Sequence, residues 1–402
     1  MGKRVAAAAG VGVLLAGITA CGGSGGDEVS GAAGSGEPIR IGVDLDLSGP
    51  FSIGGQGALK GIEAYFDAVN EAGGIAGREV ELTTLDSAAD VNRALSNVQQ
   101  LINQDQVDAL LGVSVSSISE ALDPVVADHE IPLVSVAAAP SQIFPDPSDW
   151  VVMAQSVQNQ QVGPAVQLIG ELVDSDQPRV AYIHFDSAAH HGFGNGLTEA
   201  VESRGWELTA AEVVPLTAAP DVRAQASNIV ASRPDVVVSL MTDKNSKLLQ
   251  ETLRVQGFTG PIIQNPDTGP DVLDQVTDDP NFYLMTHTYI DNTESDDIGG
   301  DDNWAAMTDA FDATGVPVDT AYSVRGYINA QVLGNALEEC GGCTGAELRD
   351  TLVGTTVPTD GITPGDISFA EDNHQGVEAV PIYRWNGQLE HVGDYPTGTG
   401  LD

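Results

Sequence analysis

Ile39-Arg40-Ile41-Gly42-Val43-Asp44-Leu45-Asp46-Leu47-Ser48-Gly49-Pro50 begins one structural unit of the chain. Asn70-Glu71-Ala72-Gly73-Gly74-Ile75-Ala76-Gly77-Arg78 closes the helix of that unit. The first stretch is β-rich as far as Leu45 and then breaks at Ser-Gly-Pro, the pattern of a strand entering a turn. Between the two, Leu59, Ile62, Phe66 and Val69 recur at helical spacing, which predicts a helix over 57–72 that stops at Gly73-Gly74. A second β-rich run follows at 79–85. Strand, helix, strand is a βα unit, and its repetition sets the fold class.

The repetition continues outward. Further strands are expected at Ala109–Gly112 and 132–136, and a second series at Arg179–Phe185, Glu207–Val214, Val236–Leu240 and Ile262–Gln264. Val91, Ala94, Leu95, Val98, Leu101 and Ile102 make one helical face, and Val162, Ala165, Val166, Ile169, Leu172 and Val173 another. The expectation is an α/β protein of two doubly wound parallel-sheet lobes, with helices on both faces of each sheet. Irregular chain at 141–150 separates the series. Beyond an acidic loop at 289–303, helical patterns at 303–313 and 321–337 belong to neither series. They are read as a return to the first lobe before a final strand pair near 377–385.

Composition narrows the function. The 402 residues carry 58 acidic and 16 basic side chains, a net charge of −42, so no basic patch for nucleic acid or an anionic lipid surface can be assembled. With 42% hydrophobic residues the chain is globular. Three cysteines are too few for a disulfide scaffold. At the start, Lys3-Arg4 precedes an apolar run, Val5 to Ala20, that is shorter than the roughly 20 residues needed to span a bilayer. It ends in Ile18-Thr19-Ala20-Cys21, which resembles the bacterial lipobox and marks 1–20 as a signal peptide and Cys21 as the lipidated residue. A plain secretory signal with a chance cysteine is the alternative. Residues 22–37, mostly Gly, Ser and Ala, have the composition of a flexible linker, with a span of roughly 22 Å. The lipid is expected to be the only hold on the membrane, and the function to lie outside the cytoplasm.

In open parallel sheets, ligands bind beyond the carboxyl ends of the strands. In the first series those ends carry Ser114-Val115-Ser116-Ser117 and Ala137-Ala138-Ala139-Pro140. In the second they carry Asp186 to Gly194 with His190-His191, then Thr242-Asp243, then Asn265-Pro266-Asp267. Hydroxyls and a helix start suit a carboxylate, and acids suit an ammonium. Ser116 has a second reading as a simple N-cap.

From Ile39 onward the chain resembles the extracytoplasmic substrate-binding proteins of ABC transporters of the leucine/isoleucine/valine-binding type. The resemblance rests on Ile41-Gly42, Ser48-Gly49-Pro50, Gly55, Gly61 and the 70–78 stretch. It continues through a strand ending in Asp86, a Gly-x-x-x-Ser segment at Gly112 to Ser116, and a Pro-led strand at Pro132. It implies two α/β lobes joined by three hinge crossovers, lobe one at 38–154 plus 288–355 and lobe two at 155–287 plus 356–402, closing on a ligand. It also implies an amino-acid-like solute and an ABC transporter permease as partners, a monomer, and no cofactor. Ser116 and Ser117 would hold the ligand carboxylate together with backbone N–H groups at Ala137 and Ala139, where the family's loop hydroxyl is missing. On lobe two, His191 stands where an aromatic is common, Thr242 follows a strand end, and Asp267 best matches the acid that binds the ammonium. Phe51-Ser52-Ile53-Gly54-Gly55 departs from the large aromatic of the family's first loop, so the resemblance implies solute binding and not a leucine-like ligand in particular.

Rival readings find little to stand on. The chain has no Gly-x-Ser-x-Gly elbow, Walker loop or His-Glu-x-x-His signature, so no enzyme is expected. His184, His190 and His191 are read as a ligand-facing imidazole with neighbours rather than a metal site, and the acidic loop lacks calcium-loop spacing. Cys340-Gly341-Gly342-Cys343 follows a helical run instead of opening one, and is expected to be a short structural disulfide. A sensor of the same fold, presenting its ligand to a membrane receptor, is the alternative function.

Overall fold

The computed structural model describes residues 36–49, 51–215, 221–241, 243–265, 278–290, 301–315 and 321–401. Lobe one is built from β1 (Ile39–Leu45), α1 (Ser52–Glu71), β2 (Val80–Asp86), α2 (Val91–Asn103), β3 (Ala109–Gly112), α3 (Ser116–His129), β4 (Leu133–Ser135) and β5 (Val151–Val152). Its five strands form one parallel sheet in the order β2-β1-β3-β4-β5. Lobe two follows with α4 (Val162–Leu172), β6 (Arg179–Phe185), α5 (Ala188–Ser203), β7 (Glu207–Val214) and α6 (Arg223–Ser232). It continues through β8 (Val236–Leu240), α7 (Asp243–Val255), β9 (Ile262–Gln264) and β10 (Phe282–Met285).

Three helices then pack on lobe one: α8 (Asp301–Thr314), α9 (Ala321–Glu339) and α10 (Gly345–Gly354). A short ribbon, β11 (Thr356–Val357) with β12 (Ile367–Ser368), precedes β13 (Ala379–Trp385) and β14 (Leu389–Pro396). The last two complete a mixed sheet ordered β14-β13-β10-β9-β8-β6-β7, in which β13 runs antiparallel to both neighbours.

Strand periodicity sorts the cores. Ile39, Ile41, Val43 and Leu45 of β1 enter one core with α1 and α9, while Leu110 of β3 points the other way into a core with α2 and α3. In lobe two, Val180 and Tyr182 face α4 and α5, and Ala181, Ile183 and Phe185 face α6 and α7. Helices therefore cover both faces of each sheet.

Two sequence expectations shift. Helix α1 starts at Ser52, before the expected residue 57, because its glycines are contact surface and not breakers. A side-chain Cβ at Gly61 would sit 1.9 Å from Ser323 O, and one at Gly326 would sit 2.0 Å from Ala58 O, so α1 and α9 pack backbone against backbone. Residues 356–377, expected in lobe two, give Val357, Ile362, Ile367 and Val377 to the core of lobe one. The chain commits to lobe two only at β13.

The lobes are connected three times. The first and third connections run side by side, with Met153 N–H donating to His374 O (3.0 Å), Gly376 N–H to Met153 O (2.8 Å) and Val377 N–H to Ala154 O (3.0 Å). Tyr289 N–H ties the second connection to Ile362 O at 2.8 Å, and Ser156 Oγ lies 3.3 Å from His287 Nδ1. Gln155, Ser156, His287 and Gln375 are all buried there; Gln155 Oε1 accepts from Asn329 and Gln375 Oε1 from Val157 N–H, which satisfies polar groups that would otherwise be costly to bury. Cys340 and Cys343 form the expected disulfide at the end of α9. Among the described residues no helix is long and apolar enough to cross a membrane.

Candidate functional site

In lobe one, β3 ends at Gly112 (φ 119°) and the chain turns through Val113 (φ 60°) before α3 begins. A β-branched residue in the left-handed region is held there by its surroundings. Val113 N–H donates to Asp44 O at 2.7 Å, and its carbonyl accepts from Ala137 N–H at 2.9 Å. The N-cap of α3 is Val115, with no side chain capping it, so Ser116 and Ser117 are its first two helical residues and the N-cap reading of Ser116 does not apply. The first helical N–H groups point out of the helix end with partial positive charge, and Ser116 is half-buried beside them while Ser117 is exposed.

The alanine loop after β4 offers less than its sequence promised. Ala137 N–H is taken by Val113 O, Ala138 N–H by the Met153 sulfur (3.4 Å), and Ala139 N–H by Gln142 Oε1 (3.1 Å). The backbone donors expected for a ligand at Ala137 and Ala139 are engaged inside the lobe. What faces outward at Ala137 is a half-buried methyl.

Lobe two presents imidazoles. Ser187 caps α5, its Oγ accepting from His190 N–H at 3.3 Å. His191 Nε2 pairs with Asp186 Oδ1 at 2.8 Å in a largely exposed position, and its ring meets His184 edge-on with centroids 4.9 Å apart. His184 is buried, its Nδ1–H donates to Phe185 O (2.7 Å), and burial holds its imidazole below the usual value. Thr242 and Asp267 lie outside the described residues. Met241, just before Thr242, and Asn265, two residues before Asp267, are buried at the ends of β8 and β9.

The two halves meet. α3 of lobe one, which begins at Ser116, and α5 of lobe two, which carries His191, approach to contact distance. At the rim, Phe51 is half-buried and Ile53 is 61% exposed, and Gly54 lies against the Tyr322 ring.

At the strand ends of lobe one lies a group of carboxylates, Asp44, Asp46 and Asp86, of which the sequence reading named only Asp86, as a strand end. Asp46 is fully buried and accepts from Ser87 Oγ (2.8 Å), Ala89 N–H (2.6 Å) and Ser114 Oγ (2.9 Å). Asp86 accepts from the N–H groups of Leu47, Ser48 and Ala88, from Ser48 Oγ and from Arg93. Burial raises its pKa, but those hydrogen bonds outweigh burial and hold it below the usual carboxylate range. Asp44 has only Asn97 (2.7 Å) on one oxygen, and its buried Oδ2 has no partner. Burial, reinforced by Asp46 and Asp86, pushes its pKa up to about 7. The signal was present: acids two residues apart at the end of the first strand, 44 and 46, stand beside an acid ending the next strand.

The comparisons with known proteins find the same α/β fold. Residues 38–389 match the model of a family described as periplasmic binding protein. The chain belongs to that family. It is similar to the Leu/Ile/Val-binding protein BraC3 of Rhizobium johnstonii, with 24% identity over 86% of this chain and 91% of the relative. Among solved structures it resembles an ABC transporter substrate-binding protein of Aeropyrum pernix (TM-score 0.80, 20% identity, 91% of this chain and 98% of that one). It also resembles the branched-chain amino acid transporter substrate-binding protein LivJ of Streptococcus pneumoniae in complex with isoleucine (TM-score 0.73, 20% identity, 90% and 99%). The family is one of binding receptors, in keeping with a mouth of donors and acceptors.

Proposed function

We propose that this periplasmic binding protein is a lipid-anchored extracytoplasmic receptor. It binds a small solute with a carboxylate or amide and delivers it to an ABC importer by closing its lobes. The observation that carries the reading is the approach of two helices from different lobes, α3, which begins at Ser116, and α5, which carries His191. The start of α3 suits an anionic group. Ala137 and Ala139 contribute apolar wall, and Asp267 with Thr242 is assigned from sequence to the amino end of the ligand. A ligand touching both lobes favours the closed state, because only differential contact shifts such an equilibrium. The branched-chain names of BraC3 and LivJ make aliphatic amino acids the first candidates. Lipid on Cys21 would anchor the receptor at the membrane surface.

Calorimetry with L-isoleucine, L-leucine and their amides tests this. Ser116 contributes one hydrogen bond to a charged group, so Ser116→Ala should weaken binding of the best ligand by about 10- to 150-fold. Unchanged affinity would remove Ser116 from the site. Retention of Cys21→Ser protein in the membrane fraction would remove the anchor.

A further inference from the structure

We propose that Asp46 is the positioning residue for lobe one's half of the cleft, a buried carboxylate that locks the loops after β1, β2 and β3 together and so fixes where α3 begins. The claim that this matters to a ligand rests on the reading of Ser116 given above. Asp46 cannot touch a solute itself, being fully buried with three donors converging on its carboxylate. Those donors come from two other loops. Ser87 and Ala89 follow β2, and Ser114 follows β3, two residues before Ser116. The Asp46 N–H lies 3.4 Å from the same Ser114 Oγ, so the hydroxyl is held by the main chain and the side chain of one residue.

A fourth element closes on the same point. A Cβ at Gly55 would sit 2.2 Å from Asp46 O and 3.0 Å from Asp46 N, so α1 packs directly on this backbone. The turn that Ser114 must follow, through Gly112 and Val113 at positive φ, is one that a valine does not hold unaided. Ser114 bonded to Asp46, with Val113 N–H bonded to Asp44 O, supplies the restraint. A carboxylate suits the task because one side chain accepts from two hydroxyls and an amide at once.

Three variants test this: Asp46→Ala, Asp46→Asn and Ser114→Ala. They are read by hydrogen exchange on the ligand-free full chain and by calorimetry with L-isoleucine. In Asp46→Ala, exchange should rise at 87–90 and 113–119 and stay unchanged at 179–203, and isoleucine affinity should fall about tenfold or more. Asp46→Asn should stay within about threefold of the parent, since its oxygen still accepts from Ser87 and Ala89 and its amide donates to a rotated Ser114 hydroxyl. Ser114→Ala should raise exchange at 113–119 alone, and it decides the case if Asp46→Ala does not fold. Unchanged exchange at 113–119, an equal rise in both lobes, or an asparagine variant as impaired as the alanine one would overturn the proposal. If the parent does not bind isoleucine, the ligand reading fails separately and the exchange measurements alone decide on Asp46.

Discussion

Near the start of its first strand lobe one has Arg40, whose N–H donates to Asp108 Oδ2 at 2.9 Å while Asp108 N–H donates back to Arg40 O at 2.7 Å. Lobe two repeats this with Arg179 and Asp235, at 2.8 and 2.7 Å. In both, the pair joins the start of the lobe's first sheet strand, β1 or β6, to the start of the next-but-one strand in the chain, β3 or β8. At the other end of those strands the lobes part company. Lobe one buries carboxylates under hydroxyls, while lobe two buries an imidazole under further imidazoles. The base of each sheet sets strand register and tolerates little variety. The mouth must only stay folded, so its chemistry is free to differ according to what it meets.

Each mouth keeps one buried ionisable group neutral, and the two groups have opposite sign. Asp44 holds its proton up to about pH 7, far above the ordinary 3.8. Between about pH 4 and pH 7 the folded protein therefore keeps a proton that the unfolded chain has released. Stability falls as pH rises through that window, by up to about 1.4 kcal/mol per pH unit, and levels off above it. His184 is held below its ordinary 6.5. As pH falls below 6.5 the unfolded chain takes up a proton that the folded protein does not, and stability is lost toward acid. Urea unfolding from pH 4.5 to 8 checks both. Asp44→Asn should gain on the parent steadily as pH rises, and His184→Gln should gain as pH falls. Parallel pH curves for parent and Asp44→Asn would show that Asp44 is ionised throughout.

The helix layers differ as well. Lobe one alone rests on the α1–α9 contact through Gly61 and Gly326. Gly61→Ala forces the helices apart and should cost about 3 kcal/mol, the upper part of the range for overpacking. Proteolysis of the partly unfolded variant should cut lobe one first. Preferential cutting in lobe two would mean that the lobes do not unfold independently.

This contrast also explains what could be read from sequence. The strand series of both lobes was legible because apolar periodicity is local, down to the bounds of Ile39–Leu45, Arg179–Phe185 and Ile262–Gln264. The disulfide was legible from two cysteines and their setting. The start of α1 was not, because whether a glycine breaks a helix or admits a neighbour depends on Ser323, more than 250 residues away. The fate of the alanine-loop N–H groups was hidden in the same way, in Gln142 and Met153. Ser116 could be placed at a helix start from its own segment. Its restraint by Ser114 and Asp46 needed the fold.

The smallest predicted effect is the sharpest test of likeness between the lobes. Asp108→Ala and Asp235→Ala each delete a carboxylate that accepts one backbone N–H in a part-buried position. A hydrogen bond to a charged group is worth roughly 1.5–3 kcal/mol, and partial exposure puts these near the lower figure. Arg179 has further holds, with its guanidinium 2.7 Å from Ser232 O and 3.6 Å from Glu207. Those keep the chain near Arg179 in place after Asp235 is cut back, so Asp235→Ala should cost slightly less than Asp108→Ala, by about 0.5 kcal/mol. The two sites lie in separate sheets with no shared partner, so the double variant should lose the sum to within roughly 0.5 kcal/mol. A cost in one lobe and none in the other, measured by urea unfolding at pH 7, would mean that the matching distances conceal different energetics. A double variant that loses much less than the sum would mean that the three connections between the lobes transmit the slack from one sheet to the other.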